Sequence, residues 1–234
     1  MRRAAWIVAF VGMPGCVGAL GTLALASPAR ADVAAPPHAD PVDPEQRAMD
    51  RPAERRSGIE LGLTLGGGVA GSAGYPNSAT KIGDPDYYSA SGLMTGSAFN
   101  VLVMGAISDY LSFGFWFGSS HYQNTDWTSS GAGGGLRLEV FPLYTLVPGL
   151  KDLGVAGQFG IGTTTLDAKF KANVSSDGTE AFVGAGGFYE WRVAKFLGGH
   201  AVLGPNLEYD VIFARSIEQN GATLSLRAVF YGGP

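Results

Sequence analysis

The stretch Gly221-Ala222-Thr223-Leu224-Ser225-Leu226-Arg227-Ala228-Val229-Phe230-Tyr231 decides how the chain is read. Side chains of an extended strand alternate between two faces. Leu224, Leu226, Ala228 and Phe230 share one face, and Ser225, Arg227, Val229 and Tyr231 share the other. In a water-soluble sandwich the apolar face points to a core. In a membrane-spanning barrel it points to lipid, with Arg227 in the lumen. One such strand decides nothing. Its repetition through the rest of the chain is what points to a fold.

Seven further runs repeat the pattern. Ile59, Leu61, Leu63 and Leu65 oppose Glu60, Gly62, Thr64 and Gly66. A second strand spans about 95–106, its parity open because Val101-Leu102-Val103-Met104 is apolar on both faces. Leu111, Phe113, Phe115 and Phe117 oppose Ser112, Gly114, Trp116 and Gly118, and Leu136, Leu138 and Val140 oppose Arg137 and Glu139. Leu153, Val155, Phe159 and Ile161 oppose Gly154, Ala156, Gln158 and Gly160. Val183, Tyr189, Trp191 and Val193 oppose Phe182, Phe188, Glu190 and Arg192, and Leu203, Leu207, Tyr209 and Phe213 oppose Gly204, Asn206, Glu208 and Asp210. Polar, turn-rich loops are expected at 75–91, 119–130, 167–177 and 214–220, and short turns at Ser108-Asp109 and Gly198-Gly199. The connection 142–152 is longer and has room for one helical turn. No helical period competes, and no fixed-length repeat suggests a propeller or solenoid. The expected fold is all-β: an eight-stranded antiparallel up-and-down barrel over 58–231, with 232–234 as a C-terminal extension.

Charge placement and bulk distinguish a transmembrane barrel from a soluble one. Glu60, Arg137, Glu139, Glu190, Arg192, Glu208, Asp210 and Arg227 all fall opposite the apolar face. An arginine or lysine facing lipid at the midplane costs roughly 2–4 kcal/mol, which a lumen position avoids. The face without charges carries the bulk, while the charged face is rich in Gly, Ala and Ser, as a narrow lumen requires. The 36 glycines fit, since they make room for Trp116, Phe182 and Phe188. Loops after the first, third and fifth strands read as longer than the turns after the second and sixth, as expected of a barrel with both termini in the periplasm. Tyr110, Tyr144, Trp191 and Phe230 at one end, and Phe117, Tyr122 and Phe213 at the other, suggest two interfacial aromatic girdles. Pro205 is expected to mark a bulge, because a closed barrel has no edge strand to accept it.

The start of the chain gives an address. Met1-Arg2-Arg3, the apolar run 4–25 and Ala29-Arg30-Ala31 read as a secretory signal over 1–31. The apolar run is also long enough for an uncleaved anchor, and Met13-Pro14-Gly15-Cys16 faintly resembles a lipobox. Cleavage before Asp32 removes the only cysteine, and with it any disulfide or thiolate chemistry. It takes Lys+Arg from 16 to 13 against 20 acids, so the net charge falls from −4 to −7, an acidic balance that argues against nucleic acid. Segment 32–57 is rich in Ala, Pro and charge without apolar period. It is expected to be a disordered periplasmic leader whose charges, such as Arg55-Arg56, are solvated.

The chain resembles the bacterial outer-membrane β-barrel family in its small eight-stranded form. The resemblance covers 58–231 and rests on the signal ending in Ala29-Arg30-Ala31, the eight alternating runs and the terminal strand Leu224-Ser225-Leu226-Arg227-Ala228-Val229-Phe230-Tyr231. That strand is similar to the family's C-terminal assembly signal, although Gly232-Gly233-Pro234 follows the aromatic. The resemblance implies a cell outer membrane location, a lipid bilayer around the barrel and the barrel-assembly machinery as a partner.

No catalytic, cofactor or metal site is expected. His38, His121 and His200 lack ligand spacing. The Gly66-Gly67-Gly68 and Gly133-Gly134-Gly135 runs open no helix and do not signal phosphate binding. Glu60, Arg137, Glu139, Glu190, Arg192, Glu208, Asp210 and Arg227 are expected to form a structural ion-pair network filling the lumen, because buried charges persist when paired. The favoured function is a non-enzymatic barrel with a structural or surface-interaction role through loops 75–91, 119–130 and 167–177, and no wide pore. The alternatives are a small barrel enzyme acting on lipids, with His121 and Ser119 or Ser120 as its candidates, and a secreted lipocalin-like binder.

Overall fold

The computed structural model describes residues 56–76, 78, 80–170 and 175–233. The expected signal over 1–31, most of the expected leader and part of the expected loop 167–177 lie outside the described residues.

Nine strands form one sheet. They are β1 (Gly58–Gly74), β2 (Ser89–Ser108), β3 (Leu111–Gln123), β4 (Trp127–Val140), β5 (Leu153–Ala168), β6 (Ser175–Tyr189), β7 (Trp191–Phe196), β8 (Gly199–Phe213) and β9 (Ile217–Tyr231). Their order is β6-β5-β4-β3-β2-β1-β9-β8-β7, all antiparallel, and β6 also pairs with β8, which closes the sheet on itself. β6 and β7 are two lengths of one stave interrupted at Glu190, so the barrel has eight staves. The seam between the ends of the chain runs from Glu60↔Tyr231 to Gly74↔Ile217. Closure from β1 to β6, β8 and β9 pairs the backbone of the wall within the protein, as a hydrocarbon surrounding demands, and only the short β7 at the lip keeps an open side.

The greasy face is outside. Leu61, Phe115, Phe159, Leu207 and Leu226 are 49%, 53%, 58%, 57% and 60% exposed, where a lipocalin-like barrel would bury them at its centre. Leu102 and Met104 point inward and are buried, which settles the parity of β2 with Val103 facing out. This outward band ends abruptly on successive strands. Phe99 gives way to Ser97, Phe117 to Ser119, Ala132 to Ser130, Ile161 to Thr163 and Ala222 to Asn220. Ser97, His121, Ser130 and Thr165 then lie side by side across β2 to β5. A band about ten residues deep on strands tilted by roughly 40° matches the apolar thickness of an outer membrane. The wall therefore continues above the lipid as a polar collar.

That continuation corrects the loop expectations. Most of 119–130 is paired strand, leaving a turn at 124–126, and 214–220 shrinks to 214–216. Backbone pairing persists through Ser, Thr and Gly once a closed sheet dictates the register, although that composition reads as loop. Asn124 shapes the first turn: its Oδ1 accepts from the N–H of Asp126 (3.0 Å) and of Trp127 (2.8 Å). The expected contrast in loop length fades accordingly. At the end where β1 begins and β9 finishes, which in such barrels faces the periplasm, lie the turn 109–110, the Leu197-Gly198 turn and the longer connection 141–152 with a 3₁₀ turn at Pro148–Leu150. Leu197 and Gly198 both have positive φ (51° and 75°), as a two-residue hairpin of mirror type requires.

Two further expectations change. No bulge occurs at Pro205. The register from Phe188↔Asn206 to Trp191↔Leu203 is continuous, and the ladder skips the rungs between, while pairing to β9 passes Pro205 unbroken. A proline without N–H is accommodated by the interruption between β6 and β7. The girdles are also thinner than expected. Tyr110, Trp191, Phe117 and Phe213 face outward, but Tyr122 is buried in the lumen and Tyr144 packs against Phe141 and Phe188. Tyr122 shares the inward parity of Trp116.

Leu226→Arg, in the middle of the apolar band, is expected to lower the stability of the barrel in lipid vesicles by roughly 2–4 kcal/mol, and Thr165→Arg in the collar by about 1 kcal/mol or less. Urea titration of the vesicle-folded protein measures both.

Candidate functional site

The alternation that greases the outside sends the other half of each strand into a narrow lumen, which is layered. Arg227 on β9 stands in the middle of the ionic layer. Its Nη1 and Nη2 donate to the two oxygens of Glu139 (2.7 and 2.6 Å), Nη2 also to Glu60 (2.9 Å), and Nε to Glu190 (3.2 Å). The paired bonds to Glu139 are the fork geometry that makes arginine–carboxylate contacts strong. Its guanidinium also lies 4.3 Å from the centre of the Phe188 ring. Arg137 on β4 binds Glu139 (2.7 Å), Gln158 (2.7 Å) and Glu208 (2.5 Å). Asn100 donates to Glu208 (3.3 Å) and Thr64 (3.1 Å), and Gln158 donates to Asp210 (3.1 Å).

Of the eight charges singled out in the sequence, the structure joins Glu60, Arg137, Glu139, Glu190, Glu208 and Arg227 by direct ion pairs. Asp210 reaches the group through Gln158. Arg192 does not join it. It is exposed at the lip of the barrel, paired with Val202 just before the register shift between Arg192 and Ala194. Strict alternation carried through the interruption at Glu190 assigned it to the lumen, but β7 lies beyond the first residue of β5 and has no wall on that side.

Arg56 is a second correction. It belongs to the expected solvated leader, yet it is buried in the periplasmic mouth. Its Nη2 lies 2.8 Å from Asp152 Oδ1 and its Nε 3.3 Å from Glu190 Oε2. Burial opposes its charge most strongly, but Glu190, Tyr231 and Asp152 outweigh that and hold its pKa above the ordinary arginine value. Tyr231 donates to both oxygens of Glu190 (3.0 and 3.1 Å). Asp152 and Gln158 share the inward parity of the fifth strand and were legible by extending it. Asn100 lay in the stretch of open parity. Nothing in the composition of the leader marked Arg56.

Above the ionic layer Trp116 and Phe182 pack with ring centres 4.5 Å apart beside a cavity of about 60 Å³. Glycine makes this possible: a Cβ at Gly118 would strike Asn100, and one at Gly154 would strike the Phe188 ring. Higher still, Ala70, Met94, Tyr122, Leu166 and Ile217 form an apolar cap, with Ser72, Ser129 and Gln219 bonded beside it. Among the described residues there is no group of three or more side chains able to hold a metal ion. His121 faces outward from the collar, exposed, with its Nδ1 2.8 Å from Ser130 Oγ. Ser120 has the opposite parity and points inward.

Breaking one partner of a buried pair strands the other, at a cost of about 3–5 kcal/mol. Arg227→Met is expected to destabilise the barrel by that amount. Combining it with Glu139→Gln is expected to recover part of the loss, with a coupling of about 1–3 kcal/mol in a double-mutant cycle measured by urea unfolding.

No protein-family model matches the chain, and no curated protein matches it. Similar solved structures include the attachment invasion locus protein Ail of Yersinia pestis, at 10% identity over 74% of this chain and 99% of that one, with a TM-score of 0.45. Neisserial surface protein A is 12% identical over 75% and 97%, with a TM-score of 0.44. The N-terminal barrel domain of Pseudomonas aeruginosa OprF is 10% identical over 74% and 98%, with a TM-score of 0.39. The likeness concerns the fold alone. Closed wall, outward leucines and phenylalanines, and a lumen packed with paired charges give this chain the fold of the eight-stranded barrels of bacterial outer membranes.

Proposed function

We propose that the protein is a non-enzymatic barrel that acts at the cell surface through its outer rim, with a lumen filled for stability. The observation that carries this reading is the connected network from Asp152 through Arg56, Glu190, Arg227, Glu139 and Arg137 to Glu208, which occupies the axis where a pore would run. The cavity above it, about 60 Å³, is of the size that holds water and not a solute path.

The rim supports a recognition role. The connection between β1 and β2 carries exposed Tyr87 and Tyr88. Tyr88 packs edge-on against Tyr75 with ring centres 5.2 Å apart and reaches Glu218 on β9 (3.4 Å). Asp84 caps the 3₁₀ turn Pro85–Tyr87 by accepting from Asp86 N–H. Aromatic side chains held at fixed positions on a surface loop are the residue type that carries binding energy at low ordering cost. The β9 strand is read as the segment handed to the assembly machinery; it ends on Tyr231, and the Gly232 N–H donates to Ile59 O (2.7 Å).

An epitope inserted between Gly83 and Asp84 is expected to be labelled on intact cells, with heat-modifiable gel migration preserved. Labelling only after the envelope is opened would refute the surface role. In planar bilayers the purified protein is expected to show no stable conductance on the nanosiemens scale, and its appearance would refute the filled lumen.

A further inference from the structure

The periplasmic mouth gathers a constellation of side chains around Arg56. Phe141 and Asp152 come from the two ends of the long connection between β4 and β5. Asp109 comes from the turn between β2 and β3, and Glu190 from the interruption between β6 and β7. These segments are far apart in sequence and meet around the side chain of Arg56. The guanidinium carbon lies 3.4 Å from the centre of the Phe141 ring, stacked on its face. Nε and Nη2 donate to Glu190 Oε2 (both 3.3 Å), Nη2 to Asp152 Oδ1 (2.8 Å), and Nη1 to the carbonyl oxygen of Asp109 (3.0 Å). The backbone N–H of Arg56 donates to Asp109 Oδ1 (2.9 Å).

All three guanidinium nitrogens are engaged, and one flat face rests on an aromatic ring. This is recognition of a planar, forked cation and not of a point charge. An ammonium group offers neither the fork nor the plane. The cage is also braced independently of its occupant. The Glu190 N–H donates to Asp152 O (3.1 Å), the Phe141 N–H donates to Tyr110 O (2.9 Å), and Phe141 meets Phe188 edge to face at 5.4 Å. The occupant comes from a segment rich in Ala, Pro and charge that has no apolar period.

We propose that the periplasmic mouth is a guanidinium-binding site, and that Arg56 fills it in cis and so holds the approach to β1 beneath the lumen. The site takes a guanidinium supplied in trans when Arg56 is absent. This goes beyond the surface role, because it concerns the opposite end of the barrel, and it stands whether or not the rim binds a partner.

The test uses the full mature chain refolded in detergent, as wild type and as Arg56→Ala, with methylguanidinium as the probe and methylammonium and sodium chlorides at equal millimolar concentration as controls. Arg56→Ala is expected to lower the temperature at which heat-modifiable migration is lost by roughly 5–15 °C. Methylguanidinium is expected to restore a saturable part of that loss, methylammonium is not, and wild type is expected to respond to neither. The recovery is expected to vanish when Asp152→Asn and Glu190→Gln are added. If Arg56→Ala refolds poorly, the refolded yield is read in its place, and a methylguanidinium-specific increase supports the site. Equal responses to the two organic cations, no response to either, or an unchanged Arg56→Ala protein overturns the proposal.

Discussion

A carboxylate or guanidinium removed from water needs a partner, and along the axis of this barrel six such groups supply one another. Arg227 sits between Glu139, Glu60 and Glu190, and Arg137 between Glu139 and Glu208. Glu139 is the hinge of the arrangement because it serves both arginines. The acids and bases come from β1, β4, β8, β9 and the β6–β7 interruption, so the network crosses the lumen rather than running along one side. A slip of one residue in any of these strands would turn its charge toward lipid. The ion pairs therefore specify register as much as they stabilise it, and the outward leucines enforce the same register from the other side.

Filling the lumen demands a second balance, between bulk and space. Trp116, Phe141 and Phe188 are among the large inward groups, and each lies against glycine or alanine. The tightly packed layers divide the interior into a periplasmic ionic half and an outer half with an apolar cap. The cavity between them follows from the glycines of β4 and β5, whose backbones approach too closely for side chains on that side. Near the upper end of the cavity the Tyr122 hydroxyl meets Thr223 Oγ1 (3.0 Å), while Trp116 Nε1 beside it has no hydrogen-bond partner.

The sequence carried much of this in its period-two pattern. Leu61, Phe115, Phe159, Leu207 and Leu226 face outward because each sits in a run whose alternation is unbroken. The pattern failed where the backbone departs from a regular strand. Arg192 follows an interruption and precedes a register shift, so its parity no longer reports the lumen. Residues 119–130 have the composition of a loop, and their pairing is imposed by neighbours that the local sequence does not show. Arg56 was illegible for a different reason. Its burial depends on Asp109, Phe141, Asp152 and Glu190 meeting in three dimensions, and no spacing along the chain encodes that meeting.

The polar collar bears on what the outside world meets. From Phe117 to Gln123 the third strand climbs a further 15 Å or so above the greasy belt, taking about 3.3 Å per residue and a tilt near 40°. Among the described residues the wall thus meets the water line as paired strand and not as open loop. Docking onto a pre-shaped contour loses little conformational freedom. Tips such as 124–126 and 214–216 can change in length or composition while the seal below them holds.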